Sequence, residues 1–269
     1  SGGQITAETT GSGNAGTLGV SADSLTVHGQ GNISATTTGS GKGGSVSIKS
    51  QSVEVSDRGQ ITAETTGSGN AGTLTVTATN LEVHSSGEIS ATTSGSGRGG
   101  GVSVNSNSIA VNTNGRIAAE STGRGNAGTL QVNANTLQVL NGGEISATTT
   151  SSGQGGSVIV KTTGNTSLAN GGRIEAETRG SGNAGSVDLI AQNLFLNSGS
   201  KVSATTFGSG NSGNVTATGR NRVQINGGAG IEAVSQGTGN AGSIALNAHR
   251  ITMSGGGNVS ATTLQSGQG

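Results

Sequence analysis

Residues able to do chemistry are few, and their spacing decides what they can do. Of 13 acidic residues only Asp23, Asp57 and Asp188 are aspartates. Cleavage of a glycosidic bond needs carboxylates or bases gathered at one place. Here Glu8, Glu64, Glu120 and Glu177 recur at a nearly fixed interval, so they read as a regular series. The three histidines, His28, His84 and His249, lie far apart and read as solvated loop residues. The motif Thr-Gly-Ser-Gly-Asn-Ala-Gly, at 10–16 and again at 66–72, has the glycines of a calcium-binding β-roll repeat but no aspartate ligand. Asn14, Asn70, Asn126, Asn183 and Asn240 could offer only neutral oxygens there and read as turn residues. No Lys-Ser/Thr follows these glycines, so they do not form a phosphate loop. No catalytic, cofactor-binding or metal-binding residue is assigned.

Composition narrows the classes further. The chain has 269 residues, 53 of them glycine, with no proline or cysteine and a formal charge of zero. Disulfide frameworks and cysteine zinc sites are excluded. A neutral chain with 10% charged residues is a poor nucleic-acid binder. No run of 18 apolar residues offers a membrane-spanning helix. Large aliphatic residues make up just under a fifth of the chain, close to the level of disordered segments, but the high net charge that accompanies disorder is missing.

Internal repetition resolves this. The stretch from Gly3 to Leu18 is repeated from Gly59. With its Ile or Val as anchor, the series is Ile5, Ile33, Ile61, Ile89, Ile117, Ile145, Ile174, Val202, Ile231 and Val259. The spacing is 28 residues, with 29 at two places. Units start near Gly3, Gly31, Gly59, Gly87, Gly115, Gly143, Gly172, Ser200, Ala229 and Gly257, and residues 1–269 read as one repeat domain, a segment of a longer mature protein. Each unit carries three alternating apolar pairs, such as Ile61/Ala63, Leu74/Val76 and Leu81/Val83. Period 2 means strand with one buried face, and glycine is too frequent for helix. A propeller blade needs about 40 residues, so 28 points to a parallel β-solenoid. The expectation is an all-β parallel solenoid of about ten coils with three short strands each. One coil cannot bury enough surface to fold alone, so stability must come from stacking. Both extra residues fall between the second and third apolar pairs, within Val160–Leu168 and Ala217–Val223, where a surface connection absorbs them.

Equal repeat positions then stack as columns. Glycine fills the column eight past the anchor: Gly13, Gly41, Gly69, Gly97, Gly125, Gly153, Gly182, Gly210, Gly239 and Gly267. A corner needing positive φ or no Cβ explains it. A looser glycine column (Gly3, Gly31, Gly59, Gly87) precedes the anchor. A threonine column four past it (Thr9, Thr37, Thr65, Thr93, Thr149, Thr178, Thr206, Thr263) reads as a hydroxyl ladder bonding coil to coil. Three past the anchor, glutamate alternates with threonine: Glu8, Thr36, Glu64, Thr92, Glu120, Thr148, Glu177, Thr205. This 56-residue superperiod either separates like charges to about a Debye length or reflects duplication of a double unit. The alternation also breaks the flat threonine array an ice-binding face requires. The neighbouring column, with Thr6, Ser34, Thr62, Ser90, Ala118 and Glu175, is mixed.

The motif Ile-Ser-Ala-x-Thr-x-Gly-x-Gly-Asn-Ala-Gly, followed by two short apolar pairs, resembles the repeat region of filamentous-haemagglutinin-like exoproteins, particularly the cyanobacterial ones. The units Ile5–Val27, Ile61–Val83 and Ile174–Leu196 carry the resemblance, which covers essentially the whole chain. It implies a right-handed β-helix, export by two-partner secretion through an outer-membrane transporter, and a place outside the cell or on its surface. The expected function is a structural shaft, with no catalysis. The alternatives are a self-assembling filament subunit and a polysaccharide-binding module. Candidate partners are further copies, joined end to end or side by side, and surface glycans or matrix polysaccharide. No nucleic-acid partner is expected.

If charge separation sets the superperiod, Thr36→Glu lowers the melting temperature at low salt, and salt restores it. Glu8→Thr and Glu64→Thr are neutral or mildly stabilising. Thermal melts at two ionic strengths decide, and an unchanged melting point for Thr36→Glu removes the charge argument.

Overall fold

A computed structural model describes residues 2–265 and 269. It is an all-β parallel solenoid of nine full coils and the first strand of a tenth. Ten short strands form one parallel sheet: β1 (Gln4–Thr9), β3 (Asn32–Thr37), β5 (Gln60–Thr65), β7 (Glu88–Thr93), β9 (Arg116–Ser121), β11 (Glu144–Thr149), β14 (Arg173–Thr178), β16 (Lys201–Thr206), β18 (Gly230–Ser235) and β20 (Asn258–Thr263). The second sheet stacks β2 (Thr17–Val27), β4 (Ser45–Val55), β6 (Leu74–Val83), β8 (Val102–Val111), β10 (Leu130–Leu140), β12 (Val158–Thr162) with β13 (Asn165–Ala169), β15 (Val187–Leu196), β17 (Val215–Ile225) and β19 (Ile244–Met253). Every strand pairs with its equivalent one coil on, so Ile5 lies opposite Ile33 and Ile33 opposite Ile61.

The second and third apolar pairs, expected as separate strands, run on as one strand in eight coils. The join is marked by a break in alternation. Ile48 and Val53 are both buried although five residues apart, and the ladder skips a pair between Ala22↔Ser50 and Ser24↔Ser52. The long strands therefore bend along one midline. Both extra residues fall on that line, as expected. One separates β12 from β13 at Thr163-Gly164, and the other forms a bulge between Gly219 and Arg222.

Inside, the anchors and the long-strand aliphatics make one continuous core. Ile61, Leu74, Ile117, Leu130, Leu137, Ile174 and Leu189 have no exposed surface. Ile5, Ile251 and Met253, in coils with one full neighbour, remain 45–47% exposed. Burial here is a property of a coil between two others, as nearest-neighbour stacking requires.

The glycine corner resolves its two explanations. Gly41, Gly69, Gly97 and Gly125 do not have positive φ. A Cβ on Gly125 would instead stand 1.6 Å from the Gly97 carbonyl oxygen, and one on Gly69 would stand 1.8 Å from that of Gly41. The column exists because the chain passes the preceding coil's backbone too closely for any side chain. Gly13, in the first coil, meets nothing. Gly267 lies outside the described residues.

Positive φ occurs at the other turn, which joins each long strand to the next short one. Two successive left-handed residues recur there, from Gly29-Gln30 and Asp57-Arg58 to Ser85-Ser86 and Gly255-Gly256. The following N–H closes the turn, as Gly87 does on the His84 carbonyl at 2.8 Å. This is a type I′ turn. The looser glycine column supplies its closing residue, whose Cβ would clash with a strand carbonyl of the preceding coil.

Two corner columns bond differently from expectation. Of the threonine column, Thr37, Thr93, Thr149 and Thr178 close their own corner, and Thr65 and Thr206 bond to nothing through Oγ1. Thr263 alone shows a coil-to-coil bond among the described residues, accepting the Ala241 N–H at 3.0 Å. Thr149 Oγ1 donates to the Gln154 carbonyl at 3.0 Å and Thr178 Oγ1 to that of Asn183 at 3.1 Å. The asparagines do more than fill a turn. Asn14, Asn70, Asn126 and Asn183 each accept, through Oδ1, the backbone N–H of the residue one coil on, at 2.8–2.9 Å. The superperiod has a steric component as well. Alanine in odd coils (Ala71, Ala127) alternates with Gly43, Gly99 and Gly155, where a Cβ would stand 2.4–2.6 Å from a backbone nitrogen of the next coil.

Gly125→Ala is expected to cost about 3 kcal/mol, because two packed backbones must separate. Ser86→Gly, which relieves a left-handed serine, is expected to stabilise by up to about 1 kcal/mol. Denaturant unfolding of both variants tests the assignment, and equal effects would contradict it.

Candidate functional site

Three outward columns share the outer face of the short-strand sheet. They stand one before, one past and three past the anchor. In coils four to nine they bring together Glu88, Arg116, Glu120, Glu144, Arg173, Glu175, Glu177, Lys201 and Glu232. Adjacent coils lie about 4.8 Å apart, so these charges are neighbours although 28 residues separate them in sequence.

The middle column faces outward yet is buried. Ser34, Ser90, Ser146 and Ser203 are at most 4% exposed. Longer side chains from the flanking columns lie over it, as when Arg116 Nη2 donates to Ser146 Oγ at 3.3 Å. Arg116 is the hub of one network, paired to Glu120, to Glu144 at 3.2 Å and to Glu88 at 3.8 Å. Burial alone would lower its pKa, but these three carboxylates outweigh it and push it up.

A glutamate in the buried column is costlier. Glu175 is 6% exposed, and burial raises its pKa to about 7. The Glu177 and Glu144 charges push the same way, against Arg173, whose Nε stands 4.0 Å away. Glu175 and Glu177 share a hydrogen bond. Glu177 also pairs with Arg179 at 3.7 Å, and Arg179 lies over the Phe207 ring, 5.8 Å from its centroid. On the next coils Lys201 Nζ meets Glu232 at 3.1 Å. Glu64 is also raised, by burial and then by Glu88. The arrangement can hold a proton near neutral pH inside a set of ion pairs.

The sequence reading finds the glutamate column but not this cluster. Glu175 and Glu232 replace a small residue in the middle column; periodicity places Glu175 there, and overlaying all three columns is what shows its charged neighbours. Among the histidines, His84 is partnered: Nε2 stands 3.3 Å from Glu54 and Nδ1 3.0 Å from Ser85 Oγ. His28 and His249 are exposed. Of the asparagine Oδ1 atoms weighed as calcium ligands, those of Asn14, Asn70, Asn126 and Asn183 are occupied by backbone N–H groups. No group of three metal-ligating side chains occurs among the described residues.

Fold and columns together define a parallel β-solenoid repeat protein. No family model, curated protein or solved structure matches the chain.

An acid whose folded pKa is raised holds its proton more tightly folded than unfolded. The stability from Glu175 is complete below about pH 4.5 and is lost as pH rises through about 7. Wild-type protein should lose on the order of 1–3 kcal/mol across that window. Glu175→Gln should flatten most of the slope and raise the melting temperature at pH 8. A wild-type melting temperature that is level from pH 5 to 8 contradicts the assignment.

Proposed function

We propose that this chain is part of the shaft of a secreted or cell-surface filamentous adhesin-like protein. The supporting observation is the core that runs through nine coils and the short-strand ladder, which stays unbroken beside both insertions. A stack of this kind is on the order of 45 Å long and rigid along its axis. Its outer surface is low in aromatic residues and neutral overall. Such a surface suits projection better than tight recognition along the whole length. The absence of cysteine suits a chain exported unfolded. Export through an outer-membrane transporter, and an extracellular or bacterial cell-surface location, follow from the resemblance of the repeat units.

A second version, a self-assembling filament subunit, draws on the apolar residues exposed in the end coils, Ile5, Ile251 and Met253. A further coil of a longer chain would cover the same surface. Immunogold labelling of intact source cells tests the shaft, with label expected outside the cell or on extended surface structures. Label confined to the cytoplasm overturns it. Electron microscopy of the purified chain across a concentration series separates the versions: a shaft segment stays a short rod, and a subunit grows fibres.

A further inference from the structure

The chain is neutral overall, but its charge is not evenly placed. The carboxylates beyond residue 85 gather on the short-strand sheet, where cations pair them. On the long strands of coils six to nine the one carboxylate is Asp188, and the cations are Lys161, Arg220, Arg222 and Arg250. None of these five makes an ion pair among the described residues. Lys161, Arg220 and Arg250 are exposed and Arg222 is half-buried, with the exposed His249 beside Arg250.

They lie along the midline where the long strands bend and both insertions fall. Lys161 and Arg220 line one open depression with Thr162, Thr163 and Ile190. Arg220 and Asn221 project from the bulge. That bulge needs Gly219, whose Cβ would stand 2.1 Å from the Arg222 carbonyl oxygen. Arg222 lies in register with Arg250. Earlier coils fill that column with Ser24, Ser52, Asn80, Ser108 and, in coil seven, Asn193. Two arginines directly opposite in a ladder repel. Other like charges in register have a neighbour of opposite or titratable kind. Arg173 faces Lys201 with Glu175 and Glu232 beside them, and Glu54 faces Glu82 with His84 beside Glu54. Arg222 and Arg250 have no ion pair among the described residues. An unrelieved repulsion on the line that carries both breaks in the repeat points to an anionic ligand.

Arginine forks match carboxylates bidentately. A sugar ring in an extended chain is about as long as one coil is high, so a chain along the axis can bring acids to the cations of coils six, eight and nine, with coil seven contributing none. Phe195, outward on β15 and half-buried, offers one apolar ring face beside the line. A single nucleic-acid strand uses a series of aromatic platforms, and this chain's aromatics are Phe195 and Phe207 alone. We propose that the midline of the long-strand sheet in coils six to nine binds an extended acidic polysaccharide, a polyuronate, through Lys161, Arg220, Arg222 and Arg250.

Calorimetric titration of the purified chain with polygalacturonate at low salt tests this. The double variant Arg222→Asn/Arg250→Ser restores the residue types of the earlier coils. It should bind about tenfold more weakly or worse, as loss of charged hydrogen bonds dictates. Its melting temperature should be unchanged or higher. Lys42→Ser/Arg98→Ser removes equal charge at the glycine corner and should bind as wild type. Equal binding by wild type and Arg222→Asn/Arg250→Ser overturns the site. So does equal loss in the corner control, undiminished binding of neutral dextran, or tighter binding of single-stranded DNA. If the double variant melts early, Lys161→Asn decides, since Asn105 and Asn133 occupy its column in the two preceding coils. Wild-type affinity in that variant rejects the proposal.

Discussion

Each coil must hold its backbone amides and carbonyls about 4.8 Å from those of the next, and that distance governs every other choice in the chain. Along the strands the distance is comfortable, because side chains point across the ladder. At the corner the chain turns and the Cα–Cβ direction swings toward the neighbouring coil. A Cβ would then fall inside a carbonyl oxygen, as at Gly69, Gly97 and Gly125. Glycine is abundant for lack of room and not for flexibility. The same corner leaves backbone N–H groups without strand partners, and asparagine Oδ1 atoms from the coil before take them. The other turn solves its geometry by dihedral angle, with paired left-handed residues. Two corners of one coil thus use glycine, or avoid needing it, for different physical reasons.

Stacking in register also makes every side chain a neighbour of its own repeat. Apolar residues gain, since each anchor is covered above and below, and a core six residues wide per coil becomes continuous. Charged residues lose unless something intervenes. Threonine intervenes in the Glu8–Glu64–Glu120 column, and Arg116 intervenes among Glu88, Glu120 and Glu144. Glu175 has the least relief. It sits in a column that is buried even though it faces out, and it responds by keeping its proton to about neutral pH.

The architecture was legible in the sequence because a solenoid writes its geometry as periodicity. A 28-residue spacing with period-2 aliphatic pairs fixes the stacking partner of every residue, so Ile33↔Ile61 could be read without coordinates. The positions of both insertions were legible for the same reason. What could not be read was geometry within a coil. Leu74/Val76 and Leu81/Val83 look like two strands, and only the skipped ladder pair shows one bent strand. The direction of Thr149 Oγ1, across its own corner instead of toward the next coil, depends on a backbone path that periodicity does not encode. The cluster around Glu175 was hidden because its members lie in three columns, each nearly regular when read alone.

Regularity itself sorts the surface into parts. In a nearest-neighbour stack an irregular residue disturbs two interfaces, the one before and the one after, so each departure must be carried by the core beneath it. Coils six to eight meet that demand. Val158, Val160, Leu168, Leu189, Leu194, Val215, Val223 and Ile225 are fully buried under a midline that carries both insertions and two facing arginines. Ala191 and Ala217 extend that core toward the bend. The long strands of the first five coils carry one cation, Lys49, and no insertion. The molecule therefore has a uniform half and a departing half joined by one unbroken short-strand ladder. The departing half is where two arginines face each other unpaired on one sheet and a carboxylate is desolvated on the other. A shaft needs only the ladder, so these departures are costs that the stacking of coils does not explain.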